Sequence, residues 1–337
     1  MPKITAPAPA PGSCTARRAL PLLLAISSGW ALAAQPASNT GEPSNQDNTT
    51  ADAEQVVSAP PKGWSFELSG GATFASDTDF ENGIGEFSYD AYELAISARR
   101  MVGDSGSLSI ELKGGLIDYT ITPSPASAVG DAANIGAEFD TITTMGLTGM
   151  YARQIDDTSS WFVGGGVISA GEDDADFGDT LDGLALAGYK HTFSDKLELG
   201  IGALVRTRLD DDALVVPIIT LSYRPDDRWT IASEGLGLKI DYKASDALNY
   251  GIAAEYDSDT FRLDDSHALA RGGVATHRRI PVSFFAQYKA SDTIELSARV
   301  GAQFAGELEI LNTSGNEITS QDIDTGIFGS FNISFRF

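Results

Sequence analysis

Carboxylate clusters and three histidines are the residues of this chain whose chemistry could make a site. The segment from Glu172 to Asp179 carries closely spaced acids whose oxygens suit a hard cation such as Ca²⁺. Its spacing differs from that of an EF-hand loop, so a solvated acidic loop is the favoured interpretation. His191 stands beside a turn segment with no nearby nucleophile–base partner, and solvent or headgroup contact is its ordinary interpretation.

The tripeptide Asp265-Ser266-His267 is the third candidate. It resembles the Asp-x-His pair of the omptin outer-membrane proteases. The resemblance implies a pair that activates water on the extracellular side, with a second acidic pair that could come from residues 210–212. A solvated polar loop predicts the same tripeptide. We therefore expect no catalytic residue, no metal and no cofactor, and keep a hydrolase that acts from the extracellular loops as an alternative.

The elements that must hold these residues are indicated first by the end of the chain. Phe331, Ile333, Phe335 and Phe337 alternate with polar residues, which is the period of a β-strand. An aromatic-rich strand with an unpaired edge would invite aggregation in a soluble protein. The tail resembles the C-terminal signal of outer-membrane β-barrel proteins. The resemblance implies recognition by the barrel-assembly machinery, and strand addition to an open sheet edge is the natural mechanism.

The start of the chain agrees with export. Lys3, Arg17 and Arg18 precede an apolar run that is too short to span a membrane as a helix, and Ala31-Leu32-Ala33 fits a cleavage site. We predict a signal peptide over residues 1–34, a disordered periplasmic linker over 35–62 and a barrel over 63–337. The only cysteine, Cys14, lies in the signal segment, so the mature chain has no disulfide.

Charge and hydropathy narrow the class of protein. The chain has 23 Lys and Arg against 47 Asp and Glu, a net charge of −24, which argues strongly against nucleic-acid binding. No window after the signal segment approaches a transmembrane helix. Barrel strands remain compatible with this sequence, because they need only alternate apolar residues.

Turn chemistry and alternation predict an all-β fold, a closed antiparallel up-and-down transmembrane β-barrel of about 14 strands. Short periplasmic turns are predicted near residues 103–106, 156–159, 194–196, 225–227, 244–246 and 290–292. Longer acidic extracellular loops are predicted at residues 77–88, 123–138, 172–179, 210–212, 257–278 and 312–322. The pair of strands within 229–243 must be short, and if it lies outside the wall the count falls to 12.

The same register predicts which charged side chains face the lumen. Charges toward lipid cost roughly 2 to 4 kcal/mol at the midplane, so they belong inside. The candidate lumen residues are Glu67, Glu93, Arg99, Arg206, Arg208, Arg224, Glu255, Arg279, Glu295 and Arg299. They would make either an interior packed with salt bridges or a water-filled pore.

Beyond these signals, the run from Leu214 to the end resembles an uncharacterised family of bacterial outer-membrane barrels with no assigned activity. The resemblance rests on Val216-Pro217, Ser222-Tyr-Arg-Pro225 with Trp229, and Leu238-Lys-Ile-Asp-Tyr242. We expect a monomer in the Gram-negative outer membrane, in contact with lipids and lipopolysaccharide, that acts as a passive channel or wall protein for small solutes or ions. An adhesin or structural barrel with a plugged lumen is a further alternative.

Overall fold

The protein is a single closed antiparallel β-barrel. The computed structural model describes residues 63–124, 139–209, 213–234 and 236–337, and the predicted signal peptide and linker lie outside them. Within these ranges fourteen strands form the wall: β1 (Trp64–Asp79), β2 (Gly85–Val102), β3 (Gly106–Pro123), β4 (Ile142–Gln154), β5 (Ser159–Glu172), β6 (Leu181–Ser194), β7 (Leu197–Arg206), β8 (Leu214–Tyr223), β9 (Trp229–Glu234), β10 (Gly237–Lys243), β11 (Leu248–Ala254), β13 (Val274–Lys289), β14 (Ile294–Leu311) and β16 (Gly326–Arg336). Two further strands, β12 (Asp257–Arg262) and β15 (Glu317–Ile323), extend the sheet at one end.

The first and last wall strands close the barrel. β1 pairs with β16 from Glu67 opposite Arg336 to Ala75 opposite Phe328. Phe66 and Phe337 exchange two backbone hydrogen bonds of 2.8 and 3.0 Å at the seam. The tail residues Phe331 and Phe335 face outward, half exposed, as a lipid-facing strand requires. The C-terminal stretch is therefore the strand that completes the wall.

Alternation along the strands separates a lipid face from a lumen face. Large apolar side chains such as Ile219 (73% exposed), Ile201 (67%) and Val300 (57%) point outward. Trp229, Tyr242 and Tyr250 form a row of rings near the short turns, with neighbouring centroids 4.9 and 5.3 Å apart. Amphipathic rings favour a membrane interface, so these turns lie at one interface of the membrane. We call this side the periplasmic end, following the prediction from the sequence. All six predicted turns join consecutive wall strands, as expected.

The structure resolves the strand count in favour of fourteen. β9 and β10 pair with each other from Trp229 opposite Tyr242 to Glu234 opposite Gly237, and β10 pairs with β11. They are therefore part of the wall, and the alternative of 12 strands is wrong. Because β9 is short, it pairs with β8 only at Ser222 and Tyr223.

Two of the predicted extracellular loops are instead largely strand. β12 continues the register of β11 against β13 after a break at residues 255–256, and β15 continues the register of β16 against β14 after a break at 324–325. The β13–β14 ladder shifts by one residue between Arg278 and Ile280, where Ala305 has a φ of 49°. Alternation in the acidic segments was masked by polar residues on both faces, which is why the sequence indicated loops.

These four interruptions lie side by side in neighbouring strands, because each break is opposite the next in the ladders. They separate the wall from a four-stranded flap, which we define as β12, β15 and the parts of β13 and β14 over residues 274–278 and 306–311. A row of aligned irregularities in a sheet is a line along which it bends. No helix in the described ranges is long and apolar enough to cross a membrane.

Candidate functional site: the lumen and its extracellular closure

The barrel encloses a cavity of about 520 Å³. It runs from Glu67 and Glu295, near the periplasmic ends of β1 and β14, to Tyr89 and Phe261 beneath the flap. Seven acidic and four basic residues of the described chain line it: Glu67, Glu93, Glu111, Glu255, Asp257, Asp259 and Glu295, with Lys113, Arg206, Arg279 and Arg299. The lumen is therefore polar, of mixed charge and acidic in balance.

Most of these charges are paired across strands. Lys113 Nζ lies 2.5 Å from Glu93 Oε2, and Arg299 Nη1 lies 3.3 Å from Glu255 Oε1. Glu111 is half-buried on β3, and its side chain makes no salt bridge or hydrogen bond within the described ranges, although the positive charge of Lys113 acts on it.

At the periplasmic end a single arginine joins three strands. Arg336 on β16 donates to Glu67 Oε2 on β1 at 2.8 Å and to Glu295 Oε2 on β14 at 3.3 Å. All three side chains are partly exposed to solvent. Such exposed pairs contribute little to stability, about 0 to 1 kcal/mol each, and they line this end of the lumen with charged groups that water can solvate.

Arg279 closes the charged part of the lumen at the base of the flap. It is buried, donates to Asp259 Oδ2 at 2.8 Å and to Asp257 Oδ2, and lies over the ring of Tyr89 at 5.0 Å. Gln303 on β14 donates to the Tyr89 hydroxyl. Arg279 of β13 therefore connects β12 to Tyr89 of β2, and Gln303 connects Tyr89 to β14.

Above Arg279 the lumen is filled by an aromatic core. The inner face of the flap contributes Phe261, Ala275, His277, Leu308, Ile310 and Ile323, and the facing ends of β1 to β4 contribute Phe80, Phe87, Tyr89, Tyr119 and Ile142. His277 lies 4.9 Å from the ring centroid of Phe87, and Tyr119 stacks on Phe261 at 5.6 Å. The flap thus packs against the far wall and closes the extracellular mouth.

The tip of the β12–β13 hairpin is fastened to the top of β5. Glu172 accepts hydrogen bonds from the backbone N–H of Asp264 at 2.7 Å and of Asp140 at 3.3 Å. His267 Nε2 lies 3.8 Å from Glu172 Oε1, and both side chains are almost wholly buried. Because the Ala270 N–H donates to His267 Nδ1 at 3.4 Å, a neutral ring carries its proton on Nε2, facing the carboxylate. We call this contact the latch.

The latch corrects two expectations from the sequence. Glu172 is buried and hydrogen bonded, so the solvated-loop interpretation of Glu172 to Asp179 is wrong for its first residue. In the described ranges no group of three or more His, Cys, Asp or Glu is arranged to hold a metal ion. His267 is buried beneath Phe139, with ring centroids 5.5 Å apart, rather than displayed on a loop beside Asp265. Residues 210–212 lie outside the described ranges.

The latch lies above the membrane band, because Val167 is the last large apolar side chain that β5 turns outward and Glu172 follows five residues later. Burial raises the pKa of Glu172 to about 7, against the opposing effect of the two backbone N–H groups. Burial also lowers the pKa of His267. Glu172 therefore changes its protonation near neutral pH, whereas burial favours the neutral form of His267.

The predicted lumen residues separate into two sets. Seven of them line the cavity: Glu67, Glu93, Arg206, Glu255, Arg279, Glu295 and Arg299. Arg99 is exposed near the periplasmic end of β2, Arg224 follows β8 in an exposed turn, and Arg208 follows β7; these three do not line the cavity. Sequence reasoning missed Asp257 and Asp259, because it assigned that stretch to a loop.

A second sector of the lumen is apolar. Phe162, Leu184, Leu186, Leu204 and Val216 on β5 to β8 form a buried cluster, with Leu214 and Ile218 packed against it. Arg206 bounds this apolar cluster and donates to Asp182 at 2.7 Å. The interior therefore has a larger charged sector along β1 to β4 and β11 to β16 and a smaller apolar sector along β5 to β8.

His191 contacts neighbouring side chains, where the sequence had favoured solvent or headgroup contact. It lies near the periplasmic end of β6, and its Nδ1 is 3.3 Å from Ser159 Oγ, which also accepts from the Tyr189 hydroxyl at 2.8 Å. Phe193 packs edge-on at 4.7 Å. No acidic residue is hydrogen bonded to this imidazole in the described ranges, so the group lacks an orienting partner for catalysis.

Comparison with solved structures finds barrels. The chain is similar to the COG4313 outer membrane channel from Pseudomonas putida F1, with 11% identity, a TM-score of 0.47, and 86% of this chain and 100% of that chain covered. It is also similar to the P. putida toluene transporter TodX, with 9% identity, a TM-score of 0.41, and 82% of this chain and 90% of that chain covered. For the NanC porin the identity is 10%, the TM-score is 0.34, and 80% of this chain and 98% of that chain are covered. Likenesses this remote do not bear on the solute.

Sequence comparison is more definite. No protein of curated function matches the chain. The family described as "Domain of unknown function (DUF6268)" matches residues 138–337, which confirms the kinship expected from the C-terminal run and extends it upstream. Because this match spans more than half of the 337 residues, the chain, a closed β-barrel, belongs to the DUF6268 family.

Proposed function

We propose that this protein is a gated outer-membrane channel for small polar solutes, with a preference for cations. The observation that carries the proposal is the cavity of about 520 Å³, which reaches the periplasmic end and stops at the flap. A barrel that served only as a wall would gain from a filled lumen, as many small barrels have. A solvated, charged lumen with an aromatic closure at one end is instead the arrangement of a pore and its gate.

The preference for cations follows from the charge balance of the lining. Seven carboxylates and four basic groups line the cavity. Rings of carboxylates lower the energy of a cation in a pore and raise that of an anion. Small cationic or zwitterionic solutes are therefore the class that the lumen suits best.

The flap is the gate of the channel. Its hinge is the line of interruptions at residues 255–256, Ile280, Ala305 and 324–325. Its free corner is held on one side by the latch and by Arg262, which donates to Asp179 O at 3.1 Å and to Leu209 O at 2.7 Å. On the other side the Glu81 N–H donates to Asp322 O at 3.0 Å, next to a bridge between Phe80 and Ile323. Release of both sets of attachments would lift the aromatic core from β2 and β3 and join the cavity to the exterior.

The two ends of the chain direct its export and its insertion into the outer membrane. Residues 1–34 act as a cleaved signal peptide, and the Phe-ended β16 is read by the barrel-assembly machinery. The mature protein is a monomer in contact with outer-membrane lipids and lipopolysaccharide, whose phosphates the acidic extracellular segments contact through divalent cations. The support is the alternation of the tail, the exposed apolar outer face and the acidic charge.

Single-channel recording in a planar bilayer tests the proposal. The refolded protein should give discrete current steps, because the gate opens and closes as a unit. In a salt gradient the reversal potential should have the sign of cation selectivity. A silent bilayer with protein shown to be folded by heat-modifiable gel migration, or an anion-selective reversal potential, would overturn it.

A further inference from the structure

The barrel wall has a notch beside β8. β8 has ten residues, β9 six and β10 seven, so the β9–β10 hairpin ends well before β8 does. β8 pairs with β7 along its whole length but with β9 only at Ser222 and Tyr223. β9 ends at Glu234, which the same register places beside Thr220, so in the described ranges the β8 edge over residues 214–219 has no strand beside it.

The notch lies within the membrane. A transmembrane strand needs about 9 to 11 residues, which β8 supplies and the β9–β10 hairpin does not. Trp229 and Tyr242 hold the lower end of the hairpin at the periplasmic interface. The hairpin therefore ends at the depth of the outer leaflet. Arg262 closes the notch above, where it donates to Leu209 O at 2.7 Å.

The free edge carries backbone polar groups. The N–H of Leu221 points to the β9 side, where it donates to Ser233 Oγ at 3.1 Å. Alternate residues of a strand direct their N–H and C=O to the same side, so Val215, Pro217 and Ile219 face the notch too. Thr220 Oγ1 beside them is buried and has no hydrogen-bond partner within the described residues. Open sheet edges are not tolerated against lipid unless something covers them.

Pro217 decides what kind of molecule can cover this edge. It has no N–H, and the missing donor is one that an added strand would need. Proline at an edge is a standard means of opposing strand addition, so a second copy of the chain is disfavoured. Around the edge the surfaces are apolar: Val215 and Ile219 outside are 62% and 73% exposed, and Leu214, Val216 and Ile218 lie behind them in the apolar cluster.

We propose that the notch is a lateral portal that binds the acyl chain of an outer-leaflet lipid. The hydrocarbon chain lies along β8 against the apolar cluster. Ester or hydroxyl oxygens of the lipid accept from the N–H groups of Val215 and Ile219. The site lies beside the polar cavity: the edge residues 214–219 do not line that cavity, and of the apolar cluster only Ile168 at its periphery does. The portal is therefore independent of whether the lumen conducts.

A nitroxide at Thr220 tests the portal by collision with molecular oxygen, which concentrates among acyl chains, and with a water-soluble nickel chelate. The single-cysteine variant Thr220→Cys is made in a Cys14→Ser background and reconstituted in phosphatidylethanolamine and phosphatidylglycerol bilayers. Thr148→Cys is the matched control, because Thr148 also faces the lumen but both of its neighbouring strands are fully paired. The label at 220 should collide more often with oxygen than with the nickel chelate, and the label at 148 should collide more often with the nickel chelate.

A longer hairpin supplies the second arm. Two residues added to each of β9 and β10 should cover the edge and lower oxygen collision at 220 by more than half, without change at 148. A phosphatidylethanolamine with a diazirine in its acyl chain should cross-link to a peptide containing residues 214–223 in the parent and lose that cross-link in the longer variant. A label at 220 that meets the nickel chelate as often as the one at 148, or that meets neither reagent, overturns the portal, as does an unchanged cross-link.

Discussion

His267 Nε2 and Glu172 Oε1 face each other at 3.8 Å in a pocket from which water is excluded. One residue is at the tip of the β12–β13 hairpin and the other ends β5, so this contact attaches the flap to the opposite wall. Burial shifts the pKa values of the two groups in opposite directions, so each group gives the latch a different pH dependence.

For Glu172 the pKa in the docked flap is raised from 4.5 to about 7. A raised pKa means that the docked form binds the proton more tightly, so docking is favoured at low pH and weakens as pH rises through about 7. For His267 the pKa is lowered from 6.5, so its contribution is present above 6.5 and is lost as pH falls. Each single variant should leave only the other trend.

A nitroxide at Ala268, which is exposed at the hairpin tip, measures docking by its mobility. In His267→Gln the label should become more mobile as pH rises through about 7. In Glu172→Gln it should become more mobile only as pH falls below 6.5. A label at Asp104, in a periplasmic turn, serves as the control. Identical pH profiles in both variants would contradict the role of the latch.

Removal of the Arg279 side chain should loosen the flap strongly. Arg279→Met leaves Asp257 and Asp259 buried without a counter-charge, and such a loss costs about 3 to 5 kcal/mol. The urea midpoint of the heat-modifiable form should fall, and the open probability of the channel should rise. Lys113→Met is the comparison, because its pair with Glu93 is partly exposed and worth about 0 to 1 kcal/mol. Equal effects of the two substitutions would argue against a special place for Arg279.

Charge reversal inside the lumen should change selectivity. Glu111→Lys places a base on the cavity wall, so the reversal potential in a salt gradient should move toward zero or change sign. Asp104→Lys makes the same charge change in an exposed turn outside the cavity and should leave the potential close to that of the parent protein. A shift of the same size in both variants would mean that the field of the whole protein, rather than the lumen, sets selectivity.

Loss of the terminal ring should slow assembly. Phe337→Ala removes the side chain that stacks on Phe66 at 6.0 Å across the seam, so less protein should reach the heat-modifiable form in outer-membrane fractions. Ile327→Ala removes an equally exposed apolar side chain from the other end of β16. If both variants assembled at the rate of the parent chain, the tail would not act as the assembly signal.

Much of this architecture was readable from the sequence, because lipid imposes strict alternation on a wall strand. Runs such as Ile294 to Phe304 alternate without error, and the turns between them use Asp, Ser and Gly. The flap was missed because above the membrane its outer face no longer needs apolar residues, so strands read as polar loops. Arg278, for example, pairs with Glu307 and Glu309 on that face.

The site was only partly predictable for a related reason. Parity along a strand tells which face a side chain takes, and it placed Glu93 and Arg299 correctly beside the cavity. Depth along the strand depends on the tilt and on the exact ends of each strand, so Arg99 and Arg224 were placed on the lumen face although they lie beyond the cavity. The latch joins residues 172 and 267, and no local pattern records so distant a contact.

The most direct test of the gated channel is a reversible lock between flap and wall. Glu81 and Asp322 are exposed and lie opposite each other where β1 meets β15, so Glu81→Cys with Asp322→Cys should form a disulfide without disturbing the core. In planar bilayers, with Cys14→Ser as background, the oxidised protein should stay closed, and a reductant should restore current steps. Each single cysteine should behave as the parent protein in both conditions. Undiminished current through the fully oxidised double variant would show that ions pass without movement of the flap and would contradict the account.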